Sequence, residues 1–466
     1  MIDVIYSLVD ITQRFNQLVF DPFYIRNLNM TSMTMKSFYD RIYSIDNQVL
    51  SRICENILPR ISHQINELIV EQYSMERVLH TINYPQLYSL TLMDFSEEVR
   101  FNNLTNNTIV RKLLNEQITC LTIDVKDKPR EPSSETLYVI FTLILSLCKQ
   151  LNKLSFCQFD NRSTFRTFDS SSTNFKSSTL TELKINVETF DDCLYLLDGR
   201  FNCLSRLIIN IEIISSTSGT IDNKKKLPKL KHFSLTSYPH TYLYDNLIIP
   251  LLRRMINLEE LILDLSIIRS NKNYIDGIQL YDDILIYMPR LNKFAFNIYT
   301  NVDKKNVGIL FSSNEDIQRS FRRKEYGSAA SYIEIFTREN QHKCHSYSLP
   351  YEFKSGIFVN VQFLMDIINK EPQRAKQKSL SLIKFSYLIY LDLQGAHADY
   401  AEQFLIDKYC HLPCLLNLNI DYESLVLATN NFTNDATRLT CSKLTSLRIN
   451  EPFVPPKNFY QYFPLL

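Results

Sequence analysis

Along most of the chain one apolar pattern keeps returning: an apolar residue, two variable residues, a second apolar residue, one variable residue, and a third apolar residue. It reads YPQLYSLTL at Tyr84–Leu92, ITCLTI at Ile118–Ile123, CKQLNKLSF at Cys148–Phe156 and LTELKI at Leu180–Ile185. It continues as FNCLSRLII (Phe201–Ile209), LPKLKHFSL (Leu227–Leu235), INLEELIL (Ile256–Leu263) and MPRLNKFAF (Met288–Phe296). Late copies are YLIYLDL (Tyr387–Leu393), LPCLLNLNI (Leu412–Ile420) and CSKLTSLRI (Cys441–Ile449). Alternation over the closing LxL predicts a short strand with one face turned inward. Between copies, segments such as Tyr244–Glu260 set Leu247, Leu251, Met255 and Leu258 at three- and four-residue intervals, which predicts a helix with one apolar stripe.

The middle apolar residue of each copy serves as a register mark. The marks are Leu90, Leu121, Leu154, Leu183, Leu207, Phe233, Leu261 and Phe294, then Leu391, Leu418 and Leu447, with a weaker copy at Ile65–Val70. Steps between the main marks run from 24 to 33 residues except for the gap of 97 between Phe294 and Leu391, and the weaker copy stands 22 residues before Leu90. A strand and one helix cannot close a core, so neighbouring copies must stack. Strand–helix alternation also suits a doubly wound sheet, but that architecture does not repeat one hexapeptide. The LxxLxL cores resemble leucine-rich repeats, whose period this spacing matches or slightly exceeds. The resemblance implies an α/β solenoid of horseshoe type, with a parallel concave sheet and outer helices. The family's Asn or Cys after the last leucine is replaced by Phe95, Lys126, Phe159, Glu188, Ser266 or Ala396, so no continuous asparagine ladder is expected.

The first 28 residues stand outside the repeat. Asp3–Val9 and Thr12–Phe20 read as two short helices. Leu8-Val9, Arg14-Phe15, Leu18, Asp21-Pro22 and Phe23-Tyr24 resemble the C-terminal half of an F-box; no Leu-Pro element or first amphipathic helix precedes Asp3. The resemblance implies contact with the adaptor of a cullin-RING ubiquitin ligase through Ile5, Leu8, Val9, Arg14, Phe15, Leu18 and Pro22. An ordinary helical cap for the end of a repeat array is the other reading. The expected organisation is a partial F-box-like segment at 1–30, repeats at 31–300, irregular or degenerate repeats and loops at 301–380, and repeats with a C-terminal cap at 381–466.

Residues inside and just after each LxL pair point away from the core. They make Thr122, Asp124, Lys184, Asn186, Asn210, Asp264, Asn297, Asp392, Asn419, Asp421 and Arg448 the candidate target-binding residues. A merely solvated sheet face would carry the same residue types.

Composition narrows the remaining chemistry. Only seven glycines occur, with no GxG spacing, which removes the phosphate-cradling Walker A and Rossmann loops. The GxSxG elbow is absent as well, and no catalytic set emerges, so a non-enzymatic chain without cofactor is expected. His342–His345 (HKCH) and Cys410–Cys414 (CHLPC) lack the four spaced ligands of a structural zinc site. The ten cysteines fall mostly in apolar segments, as free buried thiols do. The Thr136–Cys148 run is too short to span a bilayer. With a net charge of +1, the lysine cluster Lys224–Lys231 reads as a solvated turn, and neither nucleic acid nor membrane is an expected partner. The expected location is cytoplasmic or nuclear. Two functions remain in view: an F-box-type receptor that holds a protein target for a cullin-RING ligase, and an interaction scaffold with no ligase role.

Overall fold

The register marks line up as side-by-side partners in parallel strands. In the computed structural model, Leu68 faces Leu90, which faces Leu121, then Leu154, Leu183, Leu207, Phe233 and Leu261. The second residue of each LxL is in register too, through Val70, Leu92, Ile123, Phe156, Ile185, Ile209, Leu235 and Leu263. All sixteen side chains are buried. The structure describes residues 12–14, 17, 20–21, 25–31, 34–35, 41–42, 45–95, 108–125, 134–157, 176–216, 226–270, 272–303, 312–336, 341–349, 383–385, 388, 390–393, 398–406, 410–449 and 453–466.

The chain is mixed α/β and divides into two units, residues 1–267 with 281–293, and residues 268–280 with 294–466. The first unit is built on strands β1 (Asn27–Asn29), β4 (Glu67–Glu71), β5 (Ser89–Phe95), β6 (Cys120–Val125), β7 (Lys153–Cys157), β8 (Glu182–Thr189), β9 (Arg206–Ile213), β10 (His232–Thr241) and β11 (Glu260–Ser270). They are hydrogen-bonded in that order and all parallel. A small hairpin, β2 (Thr34–Met35) and β3 (Arg41–Ile42), lies between the first two in sequence.

Two backbone devices recur, and both follow from the repeated motif. The leading apolar residue and the leucine three places later close a turn. Leu87 N–H donates to the Tyr84 carbonyl at 3.3 Å, and the same bond joins Leu151 to Cys148, Leu204 to Phe201, Leu230 to Leu227, Leu258 to Met255 and Leu291 to Met288. This i→i+3 bond reverses the chain before the strand. The residue just before each strand then accepts two N–H groups from the next copy. The Tyr88 carbonyl takes Thr119 and Cys120, that of Thr119 takes Asn152 and Lys153, and those of Asn152, Thr181, Ser205 and Lys231 repeat the arrangement. Register is therefore set at the strand starts largely by main-chain bonds, with the Thr181 and Ser205 hydroxyls adding to the Asn152 and Thr181 carbonyls at 3.0 and 3.1 Å.

Helices return the chain between strands. The Ser134–Leu147 helix buries Ile140, Phe141 and Ile144, with Phe141 edge-to-face on Phe156 at 5.9 Å. The Phe190–Leu196 helix starts with a capping box in which Asp192 accepts from the Thr189 N–H and hydroxyl at 2.9 and 2.7 Å. Burial pushes the Asp192 carboxyl up to about 7 against those two bonds. Among the described residues no helix is long and apolar enough to cross a membrane.

In the second unit the rhythm changes. Strand β12 (Lys293–Asp303) runs antiparallel to β14 (Gln341–Leu349), which runs antiparallel to β13 (Ser328–Phe336). The stretch expected to hold irregular repeats thus contains an antiparallel pair, while Gly356–Ile368 lies outside the described residues. A short parallel pair joins β15 (Ile383–Lys384) to β17 (Cys410–His411). The motif resumes in β16 (Tyr390–Leu393), β18 (Asn417–Ile420) and β19 (Ser446–Arg448), parallel with Leu391, Leu418 and Leu447 in register. The same turns close from Leu415 to Leu412 and Leu444 to Cys441. Asn430, Asn431 and Phe432 all take positive φ, and Phe432 is held there by edge contacts to Phe459, Tyr462 and Phe463.

Candidate recognition face

The parallel sheet of the first unit carries its leucines on one face and a different set of side chains on the other. Three in-register files make up that second face. The first position of the strands gives Lys153, Glu182, Arg206, His232 and Glu260. The third gives Thr91, Thr122, Ser155, Lys184, Ile208, Ser234 and Ile262. The fifth gives Asn186, Asn210, Thr236 and Asp264. In-register neighbours on parallel strands sit about 4.8 Å apart, so each file behaves as one row.

The first row neutralises itself. Lys153 Nζ lies 3.3 Å from Glu182, and Arg206 reaches Glu182 at 3.9 Å and Glu260 at 3.6 Å. His232 Nδ1 and Lys293 Nζ meet the Glu260 carboxylate at 2.9 and 3.2 Å. Burial would raise the Glu260 carboxyl, but the hydrogen bonds from His232 and Lys293 and the charges of Lys293 and Arg206 outweigh it and hold it below the usual range. A carboxyl lowered in the folded state stabilises above its unfolded value near 4.5 and loses that contribution as pH falls through the folded one. Glu260→Gln is expected to cost about 1–2 kcal/mol near neutral pH, and the difference from wild type to shrink in acid and in high salt. Urea titrations at pH 7 and pH 3.5 check both.

The third row is half-buried throughout, with Thr122 and Lys184 as expected from the sequence. The fifth row corrects an expectation. Asn186, Asn210 and Asp264 are buried, not presented to solvent. Strands β8, β9 and β11 run on to 8, 8 and 11 residues, so these short side chains sit mid-strand between in-register neighbours. Asn297, inside the 11-residue β12, and Asn419, in the four-residue β18, are buried as well, at 0 and 4 % exposure. Asp124 and Asp421 are half-buried, Arg448 is exposed, and the Asp392 side chain lies outside the described residues.

Sequence reasoning missed the far margin of this sheet. Between Ser237 and Thr241 the β10–β11 register shifts, so Tyr238, Pro239 and His240 bulge opposite Ser266. A proline inside a strand is tolerated at such a bulge. His240 Nδ1 meets Ser266 Oγ at 2.5 Å, and buried Thr241 donates to the Ile214 carbonyl at 2.9 Å, fixing both ends. Tyr238 and Tyr242 are left 41 and 64 % exposed, with Ile213 at the end of β9 at 46 %. The only advance sign of this was Tyr-Pro-His-Thr-Tyr, which breaks the alternation.

Arg14 is exposed; Ile5, Leu8, Val9, Phe15, Leu18 and Pro22 lie outside the described residues. Where the chain enters the sheet, the Arg60 guanidinium covers the Phe20 ring at 4.0 Å and Ile25, Leu28 and Met30 are buried. Strand β1 therefore begins inside the segment that resembles an F-box.

The two metal-like stretches are taken apart by the fold. His342 and Cys344 lie on one side of β14 and His345 on the other; His342 Nδ1 meets the Tyr274 hydroxyl at 3.2 Å and His345 Nε2 meets Asn297 Oδ1 at 2.7 Å. Cys410 is buried and Cys414 exposed. Among the described residues no group of three or more His, Cys, Asp or Glu side chains is placed to hold a metal. Burial pushes Cys148, Cys193, Cys344, Cys410 and Cys441 up to about 12, which keeps these thiols protonated and unreactive. No protein-family model matches the chain, and no curated protein sequence matches it.

Proposed function

We propose that this chain is a non-enzymatic recognition protein, a leucine-rich-repeat solenoid of horseshoe type that holds a protein target on the open face of its parallel sheet. In this reading the Asp3–Leu28 segment couples it to the adaptor of a cullin-RING ubiquitin ligase, making it an F-box-type substrate receptor. One observation carries the target half: in-register rows of short polar and aliphatic side chains, bounded by a self-paired charged row and by the protruding Tyr238–His240 bulge. Tyrosine presents a large, amphipathic contact area at low entropic cost, which is why it recurs among residues that dominate protein interfaces. Because the row of Lys153, Glu182, Arg206 and Glu260 is internally paired, affinity on this face comes from shape and apolar contact, with little drawn from net charge. The adaptor half is supported by the resemblance of Leu8-Val9, Arg14-Phe15, Leu18 and Asp21-Pro22.

A photo-crosslinking residue placed at Ser234 in the intact chain is expected to capture the target, while one at Tyr73, 71 % exposed on the Gln72–Thr81 helix, captures none. Tyr238→Ala with Tyr242→Ala is expected to reduce capture at least about tenfold, the size of a lost interface anchor, with the melting temperature unchanged. Equal capture from both positions, or capture indifferent to the tyrosines, would count against this face.

A further inference from the structure

We propose that the second unit carries a separate site for an acidic peptide segment, in an open groove beside the Asn314–Ser320 helix. The groove measures about 520 Å³ and is lined by Ile278, Asp316, Arg319, Ser320, Arg322 and Arg323. Three guanidinium groups against one lining carboxylate give it positive character, and the Lys324 and Glu325 that follow in sequence offset each other. Guanidinium forks match carboxylate and phosphate oxygens in paired hydrogen bonds.

Arg319 pairs with two carboxylates of its own helix, Glu315 at 2.9 Å and Asp316 at 3.3 Å. All three side chains are more than half exposed, and exposed pairs of this kind contribute little, so an incoming anion can share Arg319 at small cost. Arg322 and Arg323 lie just past the helix end and are exposed. Opposite them Ile278 is 57 % exposed, an apolar wall that a free inorganic anion would leave unused. An apolar side chain next to a negative group uses both walls.

The groove is held at fixed width. Gly277 N–H donates to Ser320 Oγ at 2.7 Å, Ser320 Oγ donates to the Ile317 carbonyl at 2.5 Å, and the Tyr326 hydroxyl donates to the Gly277 carbonyl. A Cβ on Gly277 would stand 2.5 Å from the Ser320 carbonyl oxygen, so only glycine permits this approach. Phe321 stacks on Phe296 and meets Tyr326 edge-on, both at 5.1 Å. Such rigidity lowers the ordering cost of binding. Nucleic acid is disfavoured because the chain carries a net charge of only +1, far from the basic balance that a phosphate backbone needs.

Fluorescence anisotropy of the full chain tests this with three labelled peptides that share a leucine two residues before a central phosphoserine, glutamate or serine. The phosphoserine or glutamate peptide is expected to bind at least about tenfold tighter than the serine peptide, the value of one charge-assisted contact. A further gain for phosphoserine over glutamate identifies a phosphorylated ligand; equal affinity identifies a carboxylate-rich one. Arg322→Glu with Arg323→Glu is expected to abolish the preference, and Ile278→Asp to weaken binding several-fold, with unchanged melting temperature. Should the double variant lose stability, Arg322→Ala alone is expected to reduce the preference. Equal binding of all three peptides, or a preference that survives the arginine changes, would overturn the proposal.

Discussion

Replacing Leu207 with alanine is expected to lower the unfolding free energy of the first unit by about 2–5 kcal/mol, the range for truncating a fully buried leucine. Leu207 is 0 % exposed and lies between Leu183 and Phe233 in the register file. Its sequence neighbour Ile208 points to the other face and is half-buried, so Ile208→Ala is expected to cost about 1 kcal/mol or less. Urea denaturation followed by circular dichroism reads both, which suits a chain with no tryptophan. Equal costs at the two positions would mean that the faces of the sheet have been assigned wrongly.

Acid is expected to weaken the second unit through a single histidine. His345 is buried, donates its Nε2–H to Asn297 Oδ1, stacks on Tyr299 with ring centres 3.9 Å apart, and tilts against Tyr347 at 4.7 Å. Burial lowers it from 6.5 to about 3, so the folded state holds it neutral. Above about pH 6.5 neither state binds the proton. As pH falls from there toward 3, the unfolded chain gains a proton that the folded one refuses, and stability drops by roughly 1.4 kcal/mol per pH unit from this group. His345→Phe keeps an aromatic ring in the stack and removes the titration. At pH 7 the variant is expected to be less stable by about 1–3 kcal/mol because buried Asn297 loses its hydrogen bond from His345. Thermal melts of both proteins between pH 7 and pH 4 are expected to converge as the wild type loses stability. Parallel curves would show that His345 is not held neutral by the fold.

The leucine file was legible because LxL alternation and the leading apolar residue each do one physical job, burial and turn closure, and both leave a mark in sequence. Every register residue from Leu90 to Leu261 then meets its neighbour across a parallel pair. The carbonyls of Tyr88, Thr119, Asn152 and Thr181 that each take two N–H groups left no mark, since a main-chain acceptor asks for no particular side chain at its own position. Alternation also gives the side of the sheet without giving depth. That is why Asn186, Asn210 and Asp264, placed on the open face by alternation, prove buried. Strand direction is equally silent in an apolar pattern, so the antiparallel β13 and β14 were not separable from further repeats. The β10 bulge depended on a register shift against β11, a relation between two strands that neither sequence states. At the other end, NLNM at Asn27–Met30 carries a shortened LxM copy that forms β1, at a step to Leu68 unlike the others.

The receptor reading joins two surfaces, a target face on the parallel sheet and a ligase contact before it, and the second is the more exposed to test. The intact chain, purified from its own cells with its partners and quantified by mass spectrometry, is expected to bring down the cullin-RING adaptor in near-equal amount. Phe15→Asp with Leu18→Asp is expected to remove the adaptor while leaving photo-crosslinking of the target at Ser234 intact. No adaptor with the unaltered chain, alongside undiminished target capture, would contradict the ligase role and leave an interaction scaffold in its place.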